Sequence, residues 1–164
     1  MRIFFVCRRV PFPPDRGNKI ATFNQIRYLS AKHEVHVFCL GDGPRDHDNI
    51  PGLARHAKSV TAVPVDPLTI KLRALKALVV EKPLSVAALN ETKLHAAIRQ
   101  KFDELHPDLI IVYSCNVAQF AEHFQDVPRI MQFGDLDSLK WRQYAAHSRR
   151  EMDLCHRRAA FTGL

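Results

Sequence analysis

A chain of 164 residues, 46% hydrophobic and 25% charged, amounts to one globular domain able to bury a sizeable core without covalent staples. Its four cysteines, Cys7, Cys39, Cys115 and Cys155, form no CxxC pair and have no metal-ligand spacing, which excludes a disulfide scaffold or zinc module and suggests a reducing compartment. The net charge of +7 is uneven: residues from Lys140 onward contribute +4 of it, and the aromatics are not interleaved with basic residues, so nucleic-acid binding is disfavoured.

The first apolar run, residues 2–7 (RIFFVC), reads as a buried strand. Arg8 and Arg9 end it far short of a signal sequence or membrane span, so a soluble, cytoplasmic protein is expected. A Pro-rich charged loop, 8–17, leads to a helix marked by Ile20, Phe23, Ile26 and Leu29. Residues 34–40 (EVHVFCL) form a second strand, stopped by Gly41-Asp42-Gly43-Pro44. A weak helix over 48–56 precedes a third strand, 59–63, which Pro64 closes.

Residues 67–80 form an amphipathic basic helix with Leu68, Leu72, Leu75 and Val79 on one stripe and Lys71, Arg73 and Lys76 off it. Such a helix is able to meet an anionic membrane, but packing of the leucine stripe on the core with solvated lysines is the favoured reading. The next helix carries Leu94, Ile98, Phe102 and Leu105, with Asn90 available as its cap and Pro107 at its end. Residues 108–113 (DLIIVY) have the continuous apolarity of a central strand covered on both faces. Asn116 then opens a helix carrying Val117, Phe120, Ala121 and Phe124, and Gln119 stands where a capping box would place it. Residues 128–133 form a fifth strand, and the chain is helical again from Leu136. Strands alternating with helices, with no hairpin signal, predict an α/β domain: a Rossmann-like parallel sheet of about five strands with helices on both faces.

In such a sheet ligands bind where loops leave the carboxyl ends of the strands. Three loops carry candidate chemistry. In the first, Gly17 opens a helix where backbone N–H groups can meet a phosphate, with Arg16, Asn18 and Lys19 beside it; a plain Pro/Gly turn explains the same residues equally well. One glycine without GxGxxG argues against a dinucleotide cofactor. In the second, Ser114 and Asn116 offer hydrogen bonds to a sugar or nucleotide, although helix capping is the favoured role. In the third, Asp135 and Asp137 supply either a general base and sugar contacts or a helix cap. Neither a metal nor any other cofactor is expected.

Two stretches carry a family resemblance. The strand leading into Pro-Phe-Pro-Pro-Asp-Arg-Gly-Asn-Lys, followed by a helix and Ala31-Lys32-His33-Glu34-Val35-His36-Val37, resembles the start of GT4-type glycosyltransferases. The run Asp135-Leu136-Asp137-Ser138-Leu139-Lys140-Trp141-Arg142-Gln143-Tyr144-Ala145 is similar to the sugar transferases of PEP-CTERM/exosortase-associated exopolysaccharide systems. The resemblance implies the N-terminal, acceptor-binding half of a two-domain GT-B enzyme over residues 1–146, with a nucleotide-sugar donor and a polysaccharide or lipid-linked acceptor. It implies that Gly17 matches the loop closing on the donor diphosphate, and that Asp135 and Asp137 stand where many GT4 enzymes carry a histidine. The donor domain with its Glu-x7-Glu motif is not in this sequence, so activity of the chain alone is not expected. Residues 147–164 depart from the family and are expected to be a poorly ordered basic tail. A non-catalytic module that docks a separate donor domain or another partner is the competing reading.

Overall fold

The computed structural model describes residues 1–41, 43–79, 84–134, 143, 144, 146 and 147. Five strands, β1 (Arg2–Arg9), β2 (Glu34–Gly41), β3 (Ser59–Pro64), β4 (Leu109–Tyr113) and β5 (Arg129–Gln132), form one sheet. Their order is β3-β2-β1-β4-β5, and every pairing is parallel. The helices are α1 (Gly17–Ser30), α2 (Pro44–Asp48), α3 (Ile50–Ala54), α4 (Pro67–Val79), α5 (Leu84–Ala88) and α6 (Thr92–Leu105), with a 3-10 segment over Cys115–Phe120. The expected α/β parallel sheet is therefore present, and its elements fall close to where the apolar runs put them.

Strand periodicity divides the core cleanly. Phe4, Val6, Phe38, Leu40, Ile110 and Val112 point to one face, where Leu94 and Ile98 of α6, Val117 and Phe120 cover them. Ile3, Phe5, Val35, Val37, Ile111 and Tyr113 point to the other, under Phe23 and Ile26 of α1 and Leu53 of α3. Burial on both sides is why these strands read as unbroken apolar runs rather than alternating ones. Cys7 and Cys39 lie in the second face as buried free thiols. A hydrogen bond with Cys7 and burial together push the Cys39 thiol well above its ordinary range, so it behaves as a small apolar side chain.

Several local expectations change. The weak helix over 48–56 is two short helices, α2 and α3, and α5 is an element the sequence reading lacked. The cap of α6 is Glu91, whose Oε1 accepts from the Lys93 amide at 3.4 Å; Asn90 pairs instead with His95 at 3.1 Å. Asn116 does not open an α-helix, because the chain after β4 winds only as the 3-10 segment before turning.

The largest correction concerns α4. Leu68, Leu72 and Leu75 are exposed by 64%, 60% and 63%, so the stripe favoured for core packing faces solvent. The inward side carries Ile70, packed on the core, and Arg73, whose Nη1 donates to Glu91 Oε2 at 2.9 Å. A 3.6-residue repeat puts Ile70 and Arg73 opposite the leucines, so only one of the two stripes can face the sheet.

The chain divides into two compact units, Met1–Phe133 and Gly134–Leu164. In the second, residues 143, 144, 146 and 147 are helical. Asp135, Asp137 and residues 148–164 lie outside the described residues, as does Asp42. Among the described residues no helix is long and apolar enough to cross a membrane.

Candidate functional site

The strand order identifies the end of the sheet at which ligands of such folds collect. From β1 the chain moves outward to β2 and β3; it then returns past β1 to β4 and continues to β5. The order reverses between β1 and β4, and loops leaving two neighbouring strands on opposite sides open a crevice at their carboxyl ends. Cys7 stands opposite Tyr113 in the register, so the chain leaving β1 and the chain leaving β4 flank that crevice. The first leads to Arg16–Lys19 and the second is Ser114–Asn116, which puts six of the candidate residues at one end of the sheet.

On the β1 side the loop runs from Val10 to the start of α1. Phe12 anchors it: its ring lies 5.8 Å from that of Phe23, and it packs against Gly52 of α3 so closely that an added Cβ there would approach Phe12 Cε1 to 2.2 Å. Glycine is needed at 52 because the ring occupies the side-chain space, a constraint the sequence reading missed. Gly17 is different. A Cβ built at Gly17 would meet no other atom of the chain within 4 Å, so nothing internal requires glycine there. The first turn of α1 contains no acidic residue, and its N-cap, Arg16, makes no side-chain capping bond. The Lys19 amide is taken by Asn18 Oδ1 at 2.9 Å, which leaves the Gly17 and Asn18 amides at the positive end of the helix dipole, where an anion would bind.

Lys19 does not simply add charge to that end. It is drawn toward Asp15 at 3.9 Å and Asp46 at 3.8 Å, with little of its side chain exposed. Lys19 therefore ties the loop after β1 to α2 and is largely neutralised, whereas Arg16 and Asn18 are exposed. Of Arg16, Asn18 and Lys19, the two exposed ones are the better placed to meet a ligand.

On the β4 side, Ser114 takes φ 91° and ψ 132°, a combination L side chains rarely adopt. Its amide donates to Gln132 O at 2.9 Å, extending the ladder with β5. The favoured capping role fails: Ser114 makes no side-chain cap bond, and its Oγ donates instead to Asn116 Oδ1 at 3.0 Å. Asn116 is buried, and Gln119 donates to Asn116 O at 3.1 Å and Val86 O at 2.8 Å rather than closing a capping box. A polar network thus lies at the mouth of β4, built on a backbone conformation that costs about 1–3 kcal/mol. Such strain persists only where surrounding contacts hold it, as the Gln132 bond does here.

Arg8 and Arg9, which the sequence reading placed at the end of the first strand without giving them a role, belong to the same end. The register between β1 and β2 slips between Cys7 and Arg9, so β1 carries an irregularity at Arg8 just before it leaves the sheet. Irregularities of this kind re-aim side chains at strand ends. The signal was available: two consecutive arginines ending an otherwise apolar strand put two charges at the edge of a core. Both are half-buried.

The arrangement offers hydrogen-bond donors and fixed positive dipoles, not a nucleophile–base pair. Among the described residues no cluster of three or more His, Cys, Asp or Glu could hold a metal ion. Comparison with protein-family models finds no match, and neither does comparison with curated proteins.

Proposed function

We propose that the chain is the acceptor-binding half of a GT-B glycosyltransferase, working with a nucleotide-sugar donor and a saccharide or lipid-linked acceptor. The supporting observation is the unencumbered Gly17 turn beside the β1/β4 crevice. A diphosphate oxygen can approach the Gly17 amide with no side chain of that residue in the way, while the Ser114 hydroxyl, which donates to Asn116, keeps acceptor capacity for a sugar hydroxyl. The reading assigns Asp135 and Asp137 to acceptor contact or proton removal by resemblance. Titrating isotope-labelled protein with UDP-glucose and, separately, with oligosaccharide phosphates tests it. Amide shifts at residues 16–19 and 114–116 are expected. Shifts absent from both groups at millimolar ligand would refute it.

The competing reading is a non-catalytic module that docks a partner through exposed apolar surface, and α4 is the observation that favours it. A lipid-linked acceptor reconciles the two. Residues 67–79 contain no Asp or Glu, while Lys71 and Lys76 flank the outward leucines. An acid-free amphipathic helix of this kind matches the headgroup zone of an anionic bilayer, the leucines entering the acyl boundary and the lysines meeting phosphates. Co-sedimentation should therefore increase with the anionic lipid fraction. Binding indifferent to that fraction would count against this partner.

A further inference from the structure

The opposite end of the sheet holds a cavity of about 930 Å³, well separated from the carboxyl-end crevice by the length of the strands. Its wall is made where α1 turns into β2, where α3 turns into β3, and where β1 and β4 begin. Arg2, Arg27, Lys32, Arg55 and Lys58 contribute to it against only Glu34 and Asp108. That excess of three positive charges equals the whole net charge of residues 1–139, so the rest of the body is neutral and its charge is gathered here.

The acids in the wall are already engaged. Asp108 accepts from the Arg2 amide at 2.7 Å, and Glu34 lies 3.9 Å from Arg2 Nε and 3.3 Å from His36 Nε2. Arg27, Arg55 and Lys58 have no carboxylate partner among the described residues, and all three are exposed. The carboxyl end of α1 offsets at most about half a charge. Two further groups in the same wall, Ser30 Oγ and His33 Nδ1, are shut off from solvent and make no hydrogen bond. A buried polar atom left unbonded costs about 1–3 kcal/mol, so this wall is less completely satisfied than the rest of the domain.

We infer that this cavity is a second binding site, for a small polyphosphate-bearing ligand. Phosphate oxygens would accept from the exposed Arg27, Arg55 and Lys58 at the rim. Phosphate is the recognised part because the wall's excess is of cationic guanidinium and ammonium groups, and it has no Phe, Tyr or Trp. The volume admits a ligand of two or three phosphates together with its hydration shell. The inference does not depend on the transferase reading, whose ligand sits at the other end of the strands.

Calorimetric titration of the whole chain with inorganic tripolyphosphate tests it. One saturable, salt-sensitive site is expected, weakened about tenfold or more in Arg27→Glu/Arg55→Glu. These two side chains are exposed, so the variant should fold; far-ultraviolet dichroism checks this. Lys71→Glu/Lys76→Glu, which changes net charge equally on α4, should alter affinity less than about twofold. Equal weakening by both pairs would reduce the effect to overall charge and overturn the inference. So would the absence of saturable binding, or binding of RNA that Arg27→Glu/Arg55→Glu abolishes and tripolyphosphate does not displace.

Discussion

Replacing Ser114 separates backbone strain from side-chain bonding, and the two act in opposite directions. Ser114→Ala keeps the positive φ of 91° and removes the Oγ bond to the buried Asn116. Losing that bond costs about 0.5–1.5 kcal/mol, rising toward 3 if Asn116 finds no substitute donor. Ser114→Gly loses the same bond but also releases about 1–3 kcal/mol of strain, because glycine adopts this region freely. Against the release stands the larger unfolded-state entropy of glycine, about 0.4–1 kcal/mol. The bond loss cancels between the variants, so Ser114→Gly should be more stable than Ser114→Ala by about 1 kcal/mol. At ordinary positions the order is reversed. Urea unfolding with equal m-values for both variants measures the difference directly. An alanine variant as stable as the glycine variant, or more so, would mean that position 114 is unstrained. The argument that the crevice is built on a held conformation would then fall.

Glu91→Ala should destabilise by about 1.5–3 kcal/mol in the same assay, since one carboxylate both caps α6 and receives Arg73 from α4; a loss under about 0.5 kcal/mol would show α4 is held otherwise. Leu72→Glu/Leu75→Glu should leave stability within about 0.5 kcal/mol per site, because both leucines already face water, yet abolish sedimentation with anionic vesicles. A large loss of stability would restore the core-packing role that the exposure argues against. Burial holds the imidazoles of His36 and His95 below their ordinary value of 6.5, with His123 adding to the effect at His95 and Glu34 opposing it at His36. The unfolded chain then binds protons at higher pH than the folded one. Their stabilising contribution is complete above about pH 6.5 and is lost as pH falls from there through the lower folded values. Imidazole resonances titrating at or above 6.5 in the folded protein would contradict this, and His95→Gln should flatten the dependence.

Much of the architecture was legible because a buried parallel strand leaves a local signature. Residues 34–40 and 108–113 are apolar on both faces, and no other element of this size tolerates that composition next to Gly and Pro stops. The alternation with helices then implies crossovers, and so a parallel sheet. Periodicity also revealed that α4 is amphipathic. It could not say which stripe meets the sheet, since an apolar stripe has the same spacing whether it faces a core or a partner. The outward leucines were decided by Ile70 finding the core and Arg73 finding Glu91, eighteen residues away.

Sites followed the same division. Gly17, Ser114 and Asn116 could be singled out because they follow strand ends, where ligands of such sheets collect. That Ser114 is strained and bonded to Asn116 rather than capping a helix depends on how β4 is held against β5, which no local pattern encodes. The basic cavity was invisible for a plainer reason. Arg2, Arg27, Arg55 and Lys58 are scattered over the first third of the chain, and each looks like a solvated terminus or turn. Only parallel pairing of β1, β2 and β3 brings the turns before those strands to one edge, where separate charges become a single field.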